Sequence, residues 1–340
     1  MSKIVTMGEM MLRLAPQGYK RFVQADCFDA TYGGGEANVA VSLAQFSQHV
    51  VFCSKFPLNP LGDSAIAFLR KNGVDTSKLV RGGERIGIYF LEKGASQRPS
   101  KVIYDRAHSA FSTLRAEELD IEGILDKANW FHFTGITPAL GQNAADTLKV
   151  MLNACKEKGI TVSCDLNYRN KLWSRQEAKQ VMSELMEYTN ILIANEEDVS
   201  DVFDIHPADT DIEKGKLNIS AYKDMGKLLL ETFALEKVAF TLRGSISASI
   251  NEWSGMLIDK DACYTAPKYS INIVDRVGGG DSFCAGLIYA LLNGKTGQEV
   301  IDFAAAASCL KHTVEGDVNL VSVKEVEHLI YSGGSGRVQR

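Results

Sequence analysis

Long apolar runs are missing from this chain of 340 residues, and so is any excess of basic charge. A membrane-spanning helix needs roughly 20 consecutive apolar residues. The opening MSKIVTMGEMMLRLAP is broken by Glu9 and Arg13, which predicts neither a signal peptide nor a span, and no membrane partner. Lys plus Arg number 37 against 42 Asp plus Glu, a formal charge of −5. Nucleic-acid binding draws its affinity from a basic surface, so no nucleic-acid partner is expected. Seven cysteines are present (27, 53, 155, 164, 263, 284 and 309), an odd number with no C-x-x-C pair. That argues against a disulfide framework and a zinc site. The six His are scattered without an H-x-x-x-H, and His108 reads as structural or solvated. Asn218-Ile-Ser220 is a formal glycosylation sequon, but no secretory route is predicted to use it, and the expected compartment is a reducing cytoplasm.

What is present is ordinary globular composition, 45% apolar and 23% charged. The length exceeds the roughly 250–300 residues at which single cores stop growing, which predicts a large domain with a smaller one attached. Ile4–Met7, Val50–Cys53, Trp130–Phe133, Ile160–Cys164 and Ile191–Ala194 read as strands. Helical spacing falls at Glu36–Ser47, Gly62–Lys71, Ala144–Lys158 and Gln176–Tyr188, with two more helices across 195–233. This alternation implies a mostly parallel sheet covered on both faces. Val238–Leu242, Ala248–Asn251 and Met256–Ile258 read as three strands of an antiparallel edge, and Gly280–Leu292, Thr296–Thr313 and Val321–Tyr331 as closing helices. Two segments break the pattern. Met11–Thr31 reads as a pair of exposed antiparallel strands, and Gly87–Leu91 with Val102–Tyr104 as a β-hairpin. The expected fold is α/β, a doubly wound, mostly parallel sheet with a small β-sheet lid. Core residues are 1–10, 33–78 and 109–331, lid residues are 11–32 and 79–108, and 332–340 form a flexible tail.

Two glycine triplets each open a predicted helix and each is followed by an acid: Gly33-Gly34-Gly35-Glu36 and Gly278-Gly279-Gly280-Asp281. Glycines there let the backbone approach a ligand, while free N–H groups and the helix dipole favour an anion. Established phosphate fingerprints are absent. Gly294-Lys295-Thr296 would end a Walker A loop, but Tyr289 stands where its first glycine belongs. The G-x-G-x-x-G of dinucleotide sites fails at Asn38 and at Phe283. In the second triplet the amides of Gly278, Gly279 and Gly280 suit a transferring phosphoryl group, with Asp281 beside it to orient an attacking hydroxyl. The alternative for Asp281 is an ordinary helix N-cap.

Gly33–Ala44 (GGGEANVAVSLA) and Asp275–Gly286 (DRVGGGDSFCAG) resemble the two signature regions of the PfkB/ribokinase sugar kinases, and order and spacing agree over about residues 3–330. The resemblance implies a ribokinase-like core, a β lid closing over the sugar, ATP with Mg2+, and a possible monovalent cation. It makes Gly278–Gly280 the anion hole and Asp281 the catalytic base. Departures are Arg276 for Thr and Gly279 for Ala in the second signature, and Asp198 for Glu in the family's N-x-x-E, here Asn195-Glu196-Glu197-Asp198. Asn195 is thereby placed at the nucleotide, and Asp198 acts indirectly on the metal. The loop Leu242-Arg243-Gly244-Ser245 keeps one glycine where two are common, with Arg243, Gly244 and Ser245 on the nucleotide side.

Within the family the 2-keto-3-deoxygluconate kinases are the most similar. The likeness rests on Gly34 with Asn38, Tyr89, Tyr104-Asp105-Arg106, Asp165-Leu166-Asn167-Tyr168-Arg169 with Leu172-Trp173, and Glu315-Gly316-Asp317. It implies that Gly34, Asn38, Tyr89, Tyr104, Arg106, Arg169 and Asp317 line the sugar site, with Asn167 near ATP. A sugar acid carries a carboxylate, which Arg binds through a planar fork. Arg106 from the lid and Arg169 from the core are expected to clamp it, since a buried Arg beside a neutral sugar would lack a counter-ion. The expected activity is ATP-dependent phosphorylation of a keto-deoxy sugar acid on its primary hydroxyl. Alternatives are a fructose or ribose kinase, an NAD-linked oxidoreductase and a silent sugar-binding regulator. Apolar lid residues Ile86, Ile88 and Phe90 predict a homo-oligomer through the lid.

Overall fold

The structure is a computed structural model that describes residues 2–206 and 219–333. In chain order the elements are β1 (Lys3–Met7), β2 (Met11–Ala15), β3 (Asp29–Gly33), α1 (Gly35–Gln45), β4 (His49–Cys53), β5 (Lys55–Phe56), α2 (Pro60–Lys71), β6 (Val80–Arg81), β7 (Ile88–Glu92) and β8 (Lys101–Asp105). There follow α3 (Ile121–Leu125), β9 (Ala128–Thr134), α4 (Ile136–Ala139), α5 (Gln142–Lys158), β10 (Thr161–Asp165), α6 (Arg175–Leu185), β11 (Ile191–Ala194), α7 (Glu196–Phe203) and α8 (Ile219–Phe233). The chain continues through β12 (Lys237–Ser245), β13 (Ile250–Asp259), β14 (Cys263–Thr265), β15 (Tyr269–Asn272), α9 (Gly279–Leu292), α10 (Gln298–Lys311) and α11 (Val323–Ser332).

The large sheet runs β14-β13-β12-β11-β10-β9-β1-β4, with β15 paired to β13. From β12 to β4 every pairing is parallel. Side chains alternate across a strand, and the sequence obeys that period in burial. Ile4, Phe52, Ile191 and Ile193 pack on one face under α1, α9 and α10. Val5, Val51, Phe131 and Leu192 pack on the other under α5, α6 and α8. Both faces are thus dry, as a parallel sheet requires. β1 lies between β9 and β4, so the chain leaves it in opposite directions, and such a switch point opens a crevice at the strands' C-terminal ends.

The small sheet runs β3-β2-β7-β8 and is fed by the two segments that broke the strand–helix alternation. Its strands differ from expectation in two respects. β2 is buried rather than exposed, because it lies over the end of the large sheet. Val80–Arg81 pair with Lys55–Phe56 in a separate two-stranded ribbon, so residues 79–81 stay with the core. Ile86, expected at an oligomer surface, sits in the main core, and Ile88 packs against it.

The antiparallel edge also departs from expectation. Ile250–Asn251 and Met256–Ile258 are not separate strands but parts of β13, which pairs with β12 from Asp259 back to Asn251, while Ala248 and Ser249 lie in the turn before it. Trp253 and Ser254 continue the ladder where a turn was expected. Asn218 of the sequon, and the tail from 334 onward, lie outside the described residues; Ser332 closes α11. Among the described residues no helix is long and apolar enough to cross a membrane.

Candidate active site

A cleft of about 360 Å3 opens at the C-terminal ends of the large sheet, beneath the small one. It is lined by residues from both glycine turns, from both sheets and from the loops after β10 and β11.

The Gly278 turn is shaped by three glycines with three different reasons. Gly278 caps α9 in the left-handed region at φ 82°, and a Cβ there would fall 1.8 Å from the Asp317 carbonyl. A Cβ on Gly279 would fall 2.4 Å from the His312 ring. On Gly280 it would meet nothing within 4 Å, because that face opens into the cleft. The first amides of α9 border the cleft at the positive end of a 14-residue helix, and among the described residues no side chain answers them. Asp281 stands in the first turn, but Gly278 is the cap, so the N-cap alternative for Asp281 is not what the structure has. The Asp281 carboxylate is half-buried and accepts a hydrogen bond from Asn38 Nδ2 at 2.7 Å. Burial pushes its pKa up to about 6, with the negative Asp317 adding to the shift and Asn38 opposing it.

The Gly33 turn meets the first one through Asn38. Its Oδ1 accepts from Gly34 N at 3.3 Å while its Nδ2 donates to Asp281, so one amide links the two glycine turns and its orientation is set. Gly33 and Gly34 admit no side chain: a Cβ would strike the Asp317 carboxylate or the Glu9 carbonyl. Glu36 lines the cleft but is held by the threonines at the end of β9 and in α4. It is buried and accepts from Thr134 N and Oγ1 at 2.9 Å and from Thr137 Oγ1 at 2.7 Å. Burial raises its pKa to about 7 despite those donors.

The two arginines expected to form a clamp differ. Arg106 is buried and already has a counter-ion: its Nε donates to Glu9 Oε2 at 2.8 Å and Nη2 binds the same oxygen. The argument that a buried Arg here must await a substrate carboxylate therefore fails for Arg106. The other Glu9 oxygen, Oε1, is buried with no partner among the described residues, and Glu9 lines the cleft. Arg169 is exposed, donates from Nη1 to Tyr168 O at 2.8 Å, and among the described residues has no carboxylate within ion-pair distance. Tyr104 lies half open beside them, with the Arg106 guanidinium 5.5 Å from its ring centre.

Asp317 lines the cleft, but its carboxylate is engaged. Arg13 Nη1 binds one oxygen and the Tyr89 hydroxyl the other, while Arg13 Nη2 binds Asp275. Arg13 and Tyr89 belong to the small sheet, so these contacts fasten it to both sides of the Gly278 turn. Gly316 N and Val277 N also donate to Asp275, at 3.2 Å each.

On the far side, Asn195 caps α7: its Oδ1 accepts from Asp198 N and its Nδ2 donates to Asp198 Oδ2, both at 2.8 Å. Burial pushes the Asp198 carboxyl up to about 7. Asn167, in the left-handed region at φ 39°, donates to Asp165 Oδ2 at 3.3 Å. Asp165 is buried, and burial together with Asp198 and Asp281 pushes its pKa well above the usual carboxylate range. Arg243 and Arg276 face this end, and Arg276 donates to Ala248 O at 3.0 Å. Gly244 and Ser245 do not line the cleft; they continue the β12–β13 ladder opposite Glu252 and Asn251.

Sequence reasoning missed Arg13, Glu9 and His312. Arg13 and Glu9 carried a signal, since each is a charge set among apolar residues next to a strand. His312 packs on Trp253, with ring centres 4.8 Å apart, and its Nδ1 donates to Ser308 O at 2.7 Å. Burial pulls its pKa down to about 4, so it is a neutral wall of the glycine turn.

A sequence profile of the pfkB family carbohydrate kinases matches residues 1–323. The chain is 52% identical to the 2-dehydro-3-deoxygluconokinase of Thermotoga maritima, whose crystal structure superposes with a TM-score of 0.94 over 97% of this chain and 99% of that one. It is 32% identical over 335 residues to the 2-dehydro-3-deoxygalactonokinase of Haloferax volcanii, covering 98% of each chain. Fructokinase-1 of Oryza sativa is 26% identical over 325 residues, 93% of each.

Proposed function

The chain belongs to the pfkB family of carbohydrate kinases, and from that premise we propose that it phosphorylates a keto-deoxy sugar acid, first of all 2-keto-3-deoxygluconate, at its primary hydroxyl. ATP is the donor. The reading rests above all on Asp281, a recessed carboxylate held by Asn38 at the mouth of an open helix N-terminus. With its pKa pushed up to about 6, Asp281 is still ionised at neutral pH and basic enough to take a proton. The hydroxyl oxygen forms its bond to the γ-phosphorus as the bond to the ADP oxygen breaks. ADP leaves with that electron pair, and the hydroxyl proton passes to Asp281. Because Gly278 is the cap and α9 begins at Gly279, the amides of Gly279, Gly280 and Asp281, rather than those of Gly278, Gly279 and Gly280, meet the charge that gathers on the transferring group.

Arg243 and Arg276 supply positive charge where the nucleotide phosphates would lie. Asp198 and Asp165 are buried oxygen donors that accept from the side-chain amides of Asn195 and Asn167, with Arg169 acting on both only at longer range, which fits a Mg2+ ion arriving on those phosphates. Mg2+ supplies charge neutralisation there; the protein's part is to hold Asp198 through Asn195.

The acid end of the sugar is assigned to Arg169, which among the described residues has no carboxylate within ion-pair distance; Arg243 and Arg276 also line the cleft without such a partner and are assigned to the nucleotide phosphates. Arg106 orients the site through Glu9, whose free oxygen is placed to accept a sugar hydroxyl. That pairing also keeps a neutral-sugar kinase as a second reading, since only one of the two arginines is unclaimed. The small sheet serves as the lid over the sugar, and its outer face is the surface for a second copy. On that face Ile103 and Phe28 are exposed, and Phe28 packs on Phe90 with ring centres 5.9 Å apart. An Ile103→Lys variant should then run as a monomer in light scattering.

The deciding measurement is kcat/KM of wild type, Arg169→Ala and Arg106→Ala on 2-keto-3-deoxygluconate and on fructose, by ADP release. Arg169→Ala should lose roughly 2–5 kcal/mol on the sugar acid and far less on fructose, because a charge is stranded only on the acid. Arg106→Ala should lose on both, since it leaves Glu9 buried and unpaired. A wild type that prefers fructose, or equal losses for Arg169→Ala on both sugars, would overturn the sugar-acid reading.

A further inference from the structure

Lys311 ends α10 with its side chain fully buried, and among the described residues no carboxylate lies within ion-pair distance of its ammonium. Its Nζ donates instead to three backbone carbonyls: Gly316 O at 2.7 Å, Asp275 O at 3.2 Å and Val314 O at 3.4 Å. These come from two segments, the approach to the Gly278 turn and the loop that follows α10. Both border the phosphoryl-holding turn. Asp275 lies three residues before Gly278, and Gly316 precedes Asp317, whose carbonyl crowds the Gly278 Cα. The Lys311 Cε itself lies 3.3 Å from where a Gly278 Cβ would be.

Burying an ammonium costs several kcal/mol, and an apolar side chain could fill the same volume. Arg13 takes the direct ion pairs with Asp275 and Asp317, and one guanidinium against two carboxylates leaves a net negative charge that the ammonium answers only at longer range. What the ammonium alone provides is a point of positive charge with several donors among carbonyls that would otherwise face one another. A group of converging carbonyls is also how proteins hold a desolvated K+ ion. We propose that the Lys311 ammonium is a tethered monovalent cation for the Gly278–Asp281 turn: a positioning residue that fixes the turn and lends it positive potential. The protein therefore needs no free monovalent cation, and removing the side chain creates a site for one. The inference rests on the reading of this turn as the phosphoryl site.

The test uses the full chain in tetramethylammonium chloride, a cation too large for such a site, against KCl, NH4Cl and NaCl at equal ionic strength. Wild-type kcat should vary less than about twofold among them. Lys311→Ala should lose kcat by about 10²-fold in tetramethylammonium, the scale of one lost electrostatic contact, with KM for the sugar nearly unchanged. K+ or NH4+ should restore much of that loss, and should raise the unfolding temperature of Lys311→Ala while tetramethylammonium does not. Lys311→Met, which keeps the stem and fills the space, should show the loss without the rescue, and stands in if the alanine variant does not fold. A wild type activated tenfold or more by K+, a folded Lys311→Ala that no cation rescues, or a Lys311→Met with wild-type kcat would each overturn the proposal. Absence of wild-type turnover on every sugar would instead sink the kinase reading, and the cation-selective unfolding shift is read without turnover.

Discussion

The chain uses one local pattern twice, three glycines and an acid opening a helix, and the two copies do opposite things. At Gly278 the cap residue is left-handed, the third glycine faces open space, and the acid Asp281 is left with a single side-chain donor, Asn38. At Gly33 the cap residue Gly34 is in extended conformation at φ 173°, a Thr134 methyl stands 3.2 Å from the Cβ position of the third glycine, and the acid Glu36 accepts three hydrogen bonds on its Oε1 from Thr134 and Thr137. The first acid is available to a substrate, while the second ties α1 to the end of β9. A helix N-terminus becomes a reactive site only where the surrounding chain leaves its amides and its acid unclaimed.

The sharpest way to break this contrast is to remove each acid in turn. Asp281→Asn should lower kcat by on the order of 10²–10⁴ with little change in unfolding temperature, and the acid limb of the wild-type kcat/KM profile should fall near pH 6. Near-normal turnover in that variant would cancel the assignment of the base. Next in size is the glycine pair. Gly280→Val pushes a side chain into the open cleft and should cost about 10²–10³ in kcat at unchanged stability, the scale of one lost oxyanion donor. Gly278→Ala should act the other way, losing stability first, because its Cβ meets the Asp317 carbonyl and its φ is left-handed. Equal effects of the two on rate and on unfolding would show that the turn only connects.

The smallest effect belongs to Glu36. Its pKa in the folded protein is raised from 4.5 to about 7, so the folded state binds its proton more tightly than the unfolded chain does. Its contribution is full below about pH 4.5 and is lost as pH rises through 7, a decline on the order of 3 kcal/mol. Asp198 and Asp281, also raised, act in the same direction. Glu36→Gln should flatten part of that decline in pH-dependent urea unfolding and leave kcat nearly unchanged. A steep fall in kcat would move Glu36 into the reaction.

Much of this was readable from residue order alone. The alternation of apolar strands and amphipathic helices specifies a buried parallel sheet, because strand period and helix period each leave their own mark on which residues must be dry. The family signatures around Gly34 and Asp281 are local, and local segments carry their geometry with them: a left-handed cap favours glycine. Ile191–Ala194 is a strand over the range expected.

What the sequence could not decide is who faces whom. Arg13 meets Asp275 and Asp317 from 262 and 304 residues away, and no periodicity announces a pair that far apart. Arg106 and Arg169 look alike in sequence, each an Arg just after a strand. Only the packing gives one of them Glu9 and leaves the other with no carboxylate at ion-pair distance among the described residues. The same holds for the two acids behind the glycines, and for Lys311 among its carbonyls. Burial and hydrogen-bond partnership are properties of the assembled chain. The free energy of a charged group is set by its neighbours and its loss of water, and both exist only after the distant segments have met.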